Sequence, residues 1–506
     1  MILSRYTLRN INPEKVIIPG DELFELPERV LQFGTGVLLR GLPDYFIDKA
    51  NRQGVFNGRI VVVKSTAQGD TSAFDKQDGL YTVCVRGLQN GEKVEENIIN
   101  SSVSRVLTAT EEWSQVLNCA HNANMQIIVS NTTEIGIQLV QEDIRQHPPK
   151  SFPGKLLAFL YERFKAFGGS EHSGMVIVPT ELIPENGTKL QTIVLELAHL
   201  NSLEDEFIEW LECCNYFCNS LVDRIVPGKP DMAAQESLEE MLGYGDGLLT
   251  MSEVYRLWAI EGDEHIKSVL SFAQADEGVV IEPDIDIYRE LKMRMLNGTH
   301  TLSCGVAYLA GFETVKSAMD DENISGFIAE VMQHEIAPNI PYDVSLSVAH
   351  DFGSKVLDRF RNPHIQHLWI NITLNYSSKM KMRCVPVLLR HYEKSDSAPE
   401  LFALGFAAYL YFMKAVTSRD GKYYGDFNGA PYMIQDEMAA TFYKRWAGLS
   451  TSALVQETLR DTSFWGEDLN ALPNFRETVI DKLTSLLNQG VKETIEITQN
   501  KKVIAA

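Results

Sequence analysis

Four short apolar runs in the first half of the chain limit its possible folds more than any other feature. Amphipathic stretches separate these runs, which lie at Arg29–Phe33, Arg59–Val63, Met125–Ser130 and Met175–Pro179. Because each run is continuously apolar rather than alternating, it is typical of a parallel strand that is covered on both faces. The alternation of strands and helices predicts an α/β fold, with a doubly wound, Rossmann-like dinucleotide-binding domain over residues 1–284.

The second half of the chain has a different pattern, since strand signals fade from Asp286 onward and helical spacing takes over. A chain of 506 residues is also too long for one ordinary hydrophobic core. We therefore expect a separate, mainly α-helical substrate and catalytic domain over residues 285–506. Its most apolar run, Leu401–Met413, is shorter than the ~20 residues that a membrane span requires, so we expect a buried helix there.

The charge balance limits the partners that the protein can bind. There are 68 acidic and 46 basic residues, which give a net charge of −22. Nucleic acids and anionic membranes bind positive surfaces, so neither is an expected partner. An acidic small substrate would need a local cluster of basic residues. Seven cysteines without a CxxC pattern predict reduced thiols, no metal site and a cytoplasmic protein. We expect a monomer or a small homo-oligomer.

The first predicted strand ends in Gly34-Thr-Gly36, and a predicted helix follows it to about Arg52. That context favours a dinucleotide pyrophosphate at the helix N-terminus, where the binding residues would be Gly34, Gly36, Val37 and Leu38. The third glycine of the usual pattern is missing, because position 39 is a leucine. A tight strand–helix turn without any ligand is the alternative interpretation.

The end of the second predicted strand leaves the form of the cofactor open. A Rossmann domain usually has an acidic residue there for the ribose 2′-hydroxyl of NAD, whereas this chain has Lys64, Ser65 and Thr66. A lysine could instead contact the 2′-phosphate of NADP. Asp70, a few residues further on, could supply the missing carboxylate.

Short polar residues follow the third and fourth predicted strands, and the C-terminal ends of parallel strands are where ligands bind. The residues that we expect to line the nicotinamide ribose are Asn131, Thr132, Thr133 and Glu134. Glu181 is expected at the same edge of the sheet. The alternatives are helix N-caps for the first group and a solvent-exposed loop carboxylate for Glu181.

The stretch from Lys292 to His300 places an amine, an amide and an imidazole in one helical pattern. At about 100° per residue, Asn297 lies about 140° and His300 about 80° around an α-helix from Lys292. Lysine can exchange a proton with an alkoxide, asparagine can hold a carbonyl oxygen and histidine can orient a hydroxyl. These three are candidate catalytic residues for carbonyl–alcohol chemistry, although three scattered polar residues on a helix would give the same pattern.

Basic residues cluster in two segments of the second half, Arg359–His367 and Ser377–Arg383. In a chain with an excess of acidic residues, this density is unusual and predicts a site for an acidic substrate. The candidate ligands are Arg361, His364 and Lys379, because such groups bind a carboxylate by charge or by paired hydrogen bonds. A solvated helix face is the alternative for most of these residues.

Several motifs together resemble the long-chain polyol dehydrogenase family, which includes mannitol 2-dehydrogenase and the hexuronate reductases. The resemblance covers nearly the whole chain, and the segments that carry it are Phe33–Arg40, Gln77–Thr82, Ser151–Lys155, Asn219–Pro227, Lys292–His300 and Arg359–Pro363. It implies NAD(H) as the cofactor and a zinc-independent mechanism, with Lys292 as general acid in reduction and general base in oxidation. It also implies that Asn297 polarises the substrate carbonyl and that His300 positions a neighbouring hydroxyl.

One departure from the family pattern lies at the end of the fourth strand. Polyol-oxidising relatives carry a second oxyanion asparagine there, and the matching position is Leu182, so Glu181 is expected to contact substrate hydroxyls instead. The resemblance and the basic segments imply reversible reduction of a keto-hexuronate by NADH, foremost tagaturonate to altronate. Fructuronate and a neutral polyol such as mannitol are alternative substrates. A nucleotide-binding sensor without catalysis is the alternative from a different class.

Overall fold

The protein's computed structural model describes residues 1–66, 69–132 and 136–505, and the chain divides into two compact units. Unit 1 consists of Met1–Gly87 and Lys93–Ile285, and unit 2 consists of Leu88–Glu92 and Asp286–Ala506. The short segment of unit 2 is the tip between two neighbouring strands that otherwise belong to unit 1.

The strands of unit 1 form three sheets within the described part of the chain. Their bounds are β1 Glu28–Phe33, β2 Arg59–Lys64, β3 Tyr81–Gln89, β4 Glu92–Asn100, β5 Val103–Thr108, β6 Ile127–Ser130, β7 Val176–Pro179, β8 Tyr216–Phe217, β9 Ser220–Asp223, β10 Thr250–Glu253, β11 Leu257–Glu261 and β12 Val279–Glu282. The two small sheets have the orders β10-β3-β4 and β12-β11-β9. The large sheet is parallel and has the order β5-β2-β1-β6-β7-β8.

The predicted α/β fold is confirmed, and each of the four apolar runs overlaps a strand of the large sheet. Numbered along the chain, the strands of this sheet follow the order 3-2-1-4-5-6, which is the arrangement of a Rossmann fold. Successive side chains of a strand enter different cores: Val30 and Val62 pack on one face, whereas Leu31 and Val61 pack on the other. The strand order reverses between β1 and β6, where Rossmann domains bind their ligands.

Helices cover both faces of the large sheet. The α-helices of unit 1 have the bounds α1 Val37–Gly41, α2 Pro43–Arg52, α3 Ser72–Lys76, α4 Ala109–Asn118, α5 Phe152–Phe167, α6 Asn186–Leu200, α7 Asp205–Cys214, α8 Met232–Leu242 and α9 Glu264–Val269. The prediction of one unbroken helix after the glycine turn is wrong, because Leu42 leaves the helical region with φ −134° and ψ −77°. A proline disfavours helical backbone at the residue before it, so Pro43 ends α1 and begins α2.

Unit 2 is mainly helical, as predicted, with bounds α10 Asp286–Leu291, α11 Thr299–Leu309, α12 Val315–Met319, α13 Glu322–Glu330, α14 Leu346–Phe360, α15 Trp369–Ile372, α16 Tyr376–Lys379, α17 Val385–Tyr392, α18 Glu400–Phe412, α19 Ala439–Gly448, α20 Thr451–Leu459, α21 Thr462–Trp465, α22 Phe475–Gln489 and α23 Val491–Ala505. Helix α18 contains the most apolar run and is buried, as expected. In the described part of the chain, no helix is long and apolar enough to cross a membrane.

Unit 2 also contains a small antiparallel sheet that the sequence analysis did not predict. Its strands are β13 Thr417–Arg419, β14 Lys422–Phe427 and β15 Ala430–Ile434. The turns between them contain Asp420-Gly421 and Asn428-Gly429, and all four residues have positive φ. Asp-Gly and Asn-Gly are strong hairpin signals, so these two dipeptides are the sequence signal that could have predicted the sheet.

Three segments of unit 2 widen from α-helix to π-helix, and their bounds are π1 Lys292–Gly298, π2 Val331–Ile336 and π3 Met380–Cys384. Segment π1 joins α10 directly to α11, so the whole stretch is one continuous helix with a wide middle. π-helical turns are rare and often occur at functional sites. The candidate catalytic stretch therefore coincides with an unusual backbone feature that helical periodicity alone does not reveal.

Candidate active site

The glycine turn of unit 1 follows β1 at the point where the strand order reverses. Gly34 has φ +132°, and a Cβ atom there would lie 2.8 Å from Leu39 Cδ1 and 3.0 Å from the Asn131 carbonyl oxygen. Only glycine therefore suits this position. Gly36 differs, because a Cβ atom there would meet no atom within 4 Å. The backbone next to α1 is thus open to a ligand, as a pyrophosphate-binding turn requires.

Helix α1 is held in place by residues of the Asn219–Pro227 motif. The buried Arg224 guanidinium donates from Nη1 to the Gly41 carbonyl at 2.6 Å and from Nε to the Glu253 carbonyl at 2.9 Å. Burial lowers the pKa of Arg224 to about 10, which leaves it charged at neutral pH. Val37 and Leu38, at the start of α1, are half-buried. The motif therefore stabilises the predicted cofactor-binding helix.

The end of β6 presents Asn131 and Thr132 beside the glycine turn. The Asn131 backbone N–H donates to the Phe33 carbonyl at 3.1 Å, and its side chain donates to Thr180 Oγ1 at 2.9 Å. Both residues are half-buried at the C-terminal edge of the sheet. Thr133 and Glu134 lie outside the described residues. The cofactor-contacting roles of these four residues stay predictions.

Glu181 lies at the predicted edge but is only 2% exposed. Its carboxylate accepts from Thr132 N at 2.8 Å, Thr132 Oγ1 at 3.0 Å and Ser130 Oγ at 3.1 Å. Burial raises the pKa of Glu181, and these hydrogen bonds oppose that rise. The side chain therefore braces the end of β6, and it is not the solvated loop carboxylate of the alternative interpretation. Leu182, at the position of the missing asparagine, is 61% exposed.

The end of β2 carries the residues that left the choice between NAD and NADP open in the sequence. Lys64 is buried, and its charge helps to lower the pKa of Asp70, after the larger effect of hydrogen bonds from Ser72. Asp70 is exposed and accepts from Ser72 N at 2.8 Å. A basic and an acidic group thus lie together where the adenosine ribose of a dinucleotide binds. The turn and this edge fit a dinucleotide.

A buried carboxyl group lies beneath the glycine turn. Asp44 on α2 is fully buried and accepts hydrogen bonds from Tyr81 Oη at 3.0 Å and Gln32 Nε2 at 3.4 Å. Its Oδ1 atom has no hydrogen-bond partner among the described residues. Burial raises the pKa of Asp44 from 3.8 to about 7, although these hydrogen bonds and Arg40 oppose the rise.

The π-helical backbone changes the relation between the first two candidate catalytic residues. A π-helix joins residue i to residue i+5, so one turn holds more residues than the 3.6 of an α-helix. Lys292 and Asn297 are five residues apart in π1 and therefore lie on one face, not about 140° apart as α-helical geometry predicted. Both side chains are half-buried. An amine and an amide can thus act on the same substrate oxygen.

His300 lies on α11 in an aromatic environment. Its ring stacks on Phe360 with centroids 4.1 Å apart and meets His367 edge-on at 5.0 Å. The residue is 7% exposed, and its Nε2 atom has no hydrogen-bond partner among the described residues. An unpaired buried nitrogen costs about 1–3 kcal/mol. A hydroxyl that reaches this atom would remove the cost, which agrees with the predicted role in positioning a hydroxyl.

Basic side chains surround His300 within unit 2. Burial is the largest cause that lowers the pKa of His300 well below 6.5, and the next causes are His367, Arg359, Arg383 and Lys379. Burial likewise lowers the pKa of Lys379, and the charge of Arg383 adds to the effect. His300 is therefore neutral at neutral pH and is surrounded by cations. This combination favours an anionic ligand.

The cations near His300 are only partly those that the sequence predicted. Lys379 is one of them, and its Nζ donates to the Ile372 carbonyl at 3.0 Å. Arg361 and His364 are exposed, and their predicted substrate contacts stay predictions. Arg359 and Arg383 lie in the same basic segments and influence His300 instead. The sequence located the segments, but which residue faces inward depends on the end of α14 at Phe360 and on the π-helical turn at Arg383.

No metal site is apparent in the ranges 1–66, 69–132 and 136–505, where no group of three histidine, cysteine, aspartate or glutamate residues could hold an ion. All seven cysteines are free thiols. The side chains of Lys292, Asn297 and the cations near His300 can transfer a proton, donate a hydrogen bond to a developing oxyanion and bind negative charge.

Two family models match the chain. The Mannitol dehydrogenase Rossmann domain matches residues 28–272, and the Mannitol dehydrogenase C-terminal domain matches residues 284–487. Among solved structures, the Pseudomonas fluorescens mannitol 2-dehydrogenase ternary complex with NAD and D-mannitol is similar, with 22% identity, a TM-score of 0.65 and coverage of 99% and 100% of the two chains. A D-sorbitol dehydrogenase in substrate-free form has 20% identity, a TM-score of 0.77 and coverage of 98% and 100%. These structures agree with the fold.

Sequence relatives agree with the family models. Altronate oxidoreductase of Bacillus subtilis is 38% identical over 480 residues, which are 94% of this chain and 96% of the relative. Altronate oxidoreductase of Halalkalibacterium halodurans is 37% identical over 482 residues, which are 93% of each chain. On these matches along nearly its whole length, the chain belongs to the mannitol dehydrogenase family.

Proposed function

We propose that this protein catalyses the reversible, NADH-dependent reduction of a keto-hexuronate, foremost D-tagaturonate to D-altronate. Family membership makes the chain an NAD-dependent oxidoreductase that acts on CH–OH groups, of the polyol and sugar-acid dehydrogenase type. The relatives named altronate oxidoreductase, at 37–38% identity, support altronate as the alcohol. The direction, the substrate and the residue roles below are parts of the proposal.

Bound NADH supplies the hydride for the substrate's carbonyl carbon. The residues that would hold it are Gly34, Gly36, Val37, Leu38, Asn131 and Thr132. The Gly34 N–H is donated to the Val63 carbonyl at 3.0 Å, so the N–H groups at the start of α1, after Gly36, would bind the pyrophosphate. The end of β6 would line the nicotinamide ribose. Glu181 keeps that strand end in shape through its hydrogen bonds to Ser130 and Thr132.

Lys292 and Asn297 act on the carbonyl oxygen of the substrate. In reduction, the Lys292 ammonium donates the proton that turns this oxygen into a hydroxyl, and in oxidation the amine takes the proton back. The Asn297 side-chain N–H donates a hydrogen bond to the same oxygen and stabilises its developing negative charge. Their common face on π1 supports this shared target.

The Nε2 atom of the neutral His300 forms a hydrogen bond with a neighbouring hydroxyl of the substrate. The carboxylate of the keto-hexuronate is bound by the basic group around His300, with Lys379 and Arg383 as the principal ligands. Charge-assisted hydrogen bonds to a carboxylate are about twice as strong as neutral ones. A neutral polyol has no group that would use these cations. The observation that carries the proposal is this cationic surrounding of His300 in a chain of net charge −22.

The direct experiment compares four substrates at equal concentration, through NADH consumption with tagaturonate, fructuronate and fructose and through NADH formation from NAD⁺ with mannitol. The proposal predicts the highest kcat/KM for tagaturonate and little turnover of the neutral sugars. A higher kcat/KM for fructuronate would change the assigned substrate but not the assigned reaction type. Turnover of neutral substrates alone would overturn the sugar-acid assignment.

A further inference from the structure

Arg294 lies between the two candidate catalytic residues of π1, but its side chain makes contacts that no catalytic role explains. It is 8% exposed. Its Nε donates to Glu290 Oε2 at 2.8 Å, and its Nη2 donates to Glu290 Oε1 at 3.3 Å. Its Nη1 donates to two backbone carbonyls, those of Met382 and Arg383. One guanidinium thus joins α10 to a distant part of unit 2.

The two carbonyls belong to π3, the segment in which the α-helical hydrogen-bond register is interrupted. A widened turn leaves a carbonyl without its ordinary i+4 partner, and the residue four positions after Met382 is Pro386, which has no N–H to donate. Arg294 supplies the missing donor. The reverse contact also exists, because Cys384 Sγ on π3 lies 3.7 Å from the Gly298 carbonyl at the end of π1. The two π-helical segments are therefore fixed to each other from both sides.

The two linked segments carry different parts of the proposed chemistry. Segment π1 bears Lys292 and Asn297, which act on the substrate carbonyl. Segment π3 contains Arg383 and directly follows Lys379, the proposed carboxylate ligands. The Arg383 side chain reaches back to Thr301 Oγ1 at 3.2 Å, beside His300. A shift between π1 and π3 would therefore change the separation between the carbonyl and carboxylate subsites.

We infer that Arg294 is a positioning residue that fixes the distance between the proton-donating face of π1 and the carboxylate-binding cations of π3. This inference rests on the proposed function. A guanidinium suits the task, because its planar fork donates to Glu290 and to the carbonyls of π3 at the same time. A lysine ammonium at this position would be a single point charge and could not keep both sets of contacts.

The experiment compares Arg294→Lys, Arg294→Ala and Glu290→Gln with the wild type in steady-state reduction of tagaturonate. Misplacement of reacting groups by about 1 Å costs on the order of 100-fold in rate. We expect kcat/KM to fall about 100-fold in Arg294→Ala and somewhat less in Arg294→Lys, with KM raised and the Kd for NADH changed less than about twofold. Glu290→Gln should change in the same direction by a smaller factor. Millimolar guanidinium should restore part of the activity of Arg294→Ala.

The matched control is Arg289→Ala, on the same helix. Arg289 is partly exposed and pairs with Asp286 at 2.6 Å, so its loss should leave KM and kcat unchanged. A purely structural role for Arg294 predicts fewer active molecules, hence a lower kcat with unchanged KM and no rescue, and this result would overturn the inference. If Arg294→Ala does not fold, Arg294→Lys and Glu290→Gln give the same comparison. If the wild type reduces tagaturonate and the Arg294 and Glu290 variants keep its kcat and KM, only the positioning role is wrong. If the wild type does not reduce tagaturonate, both the proposed function and this inference are wrong.

Discussion

Unit 1 and unit 2 build their functional surfaces from different parts of the chain. Unit 1 relies on backbone: the turn at Gly34 and Gly36 and the C-terminal ends of parallel strands. Unit 2 relies on side chains, which a widened helix brings to one face at Lys292 and Asn297. A backbone-built site follows from the fold class, whereas a side-chain-built site depends on local helical geometry. The difference explains why the first could be inferred from sequence and the second only in part.

Burial shifts the pKa values of acids and of bases in opposite directions, as groups of each unit show. In unit 1 it raises the pKa of the carboxyl groups of Asp44 and Glu181, so it favours their neutral forms. In unit 2 it lowers the pKa of His300, His367 and Lys379, which are bases. Both effects disfavour charge, but guanidinium groups keep theirs. Unit 2 therefore retains positive charge around neutral imidazoles, which suits an anionic substrate.

The largest effect should come from Lys292, because its replacement distinguishes an enzyme from a nucleotide-binding protein without catalysis. Replacing Lys292 by alanine removes the proposed proton donor, and loss of general acid catalysis lowers kcat by about 10²–10⁴-fold. NADH affinity, measured by fluorescence titration, should change little because the proposed cofactor contacts lie in unit 1. Lys316→Ala, which removes only an exposed pair with Asp320, is the control. Unchanged turnover in Lys292→Ala would refute the assigned role.

The next effect concerns the buried carboxyl group of unit 1. Because the pKa of Asp44 is about 7 in the fold and 3.8 otherwise, its contribution to stability is lost as the pH rises from about 4 to about 7. The shift of about three units corresponds to roughly 4 kcal/mol. Asp44→Asn should remove this pH dependence and make unit 1 more stable at pH values above about 7. Scanning calorimetry at several pH values measures the change.

A neighbouring carboxylate provides the control for Asp44. Asp48 lies four residues later on α2, pairs with Arg52 at 2.7 Å and accepts from Ser101 N at 2.7 Å. Asp48→Asn removes this ion pair and should destabilise unit 1, the opposite sign to Asp44→Asn. If both variants lower stability at high pH, the account of a buried, unfavourably ionised Asp44 is wrong.

The carboxylate subsite of unit 2 should give an intermediate effect. Lys379→Met removes one charge-assisted hydrogen bond, worth about 1.5–3 kcal/mol, so KM for tagaturonate should rise about 10- to 100-fold. The residual activity with fructose should be unchanged, since that sugar has no carboxylate. Arg361→Met tests whether the exposed arginine that the sequence indicated also contributes. An equal rise in KM for both sugars would contradict the subsite.

The smallest effect distinguishes the two glycines of unit 1. Gly34→Ala forces an alanine into a φ of +132° and against Leu39 and the Asn131 carbonyl, so it should destabilise unit 1 by about 1–3 kcal/mol. Gly36→Ala meets no atom and should fold normally, but its methyl group would occupy the space left for the pyrophosphate. It should therefore weaken NADH binding without lowering the unfolding temperature. Normal NADH affinity in Gly36→Ala would place the cofactor elsewhere.

Four of the six strands of the large sheet could be predicted, because parallel strands that are buried on both faces leave continuous apolar runs, whereas β5 and β8 were not predicted. The helix break at Leu42 was readable from Pro43, and the small sheet of unit 2 from Asp420-Gly421 and Asn428-Gly429. The π-helical register at Lys292 was not readable, because the apolar spacing of one widened turn resembles that of an α-helix. Which cations surround His300 depended on where α14 ends and on the π-helical turn at Arg383, so the sequence located the basic segments but not their inward members.

The central claim is that unit 2 selects a sugar acid through its cations while Lys292 supplies the proton. It is tested most directly by initial rates of NADH oxidation with tagaturonate and fructose, measured for the wild type and Lys379→Met. The account predicts that the wild type strongly prefers tagaturonate and that Lys379→Met reduces this preference about 10- to 100-fold by raising KM for the acid alone. A wild type that prefers fructose, or a preference that Lys379→Met leaves intact, would contradict it.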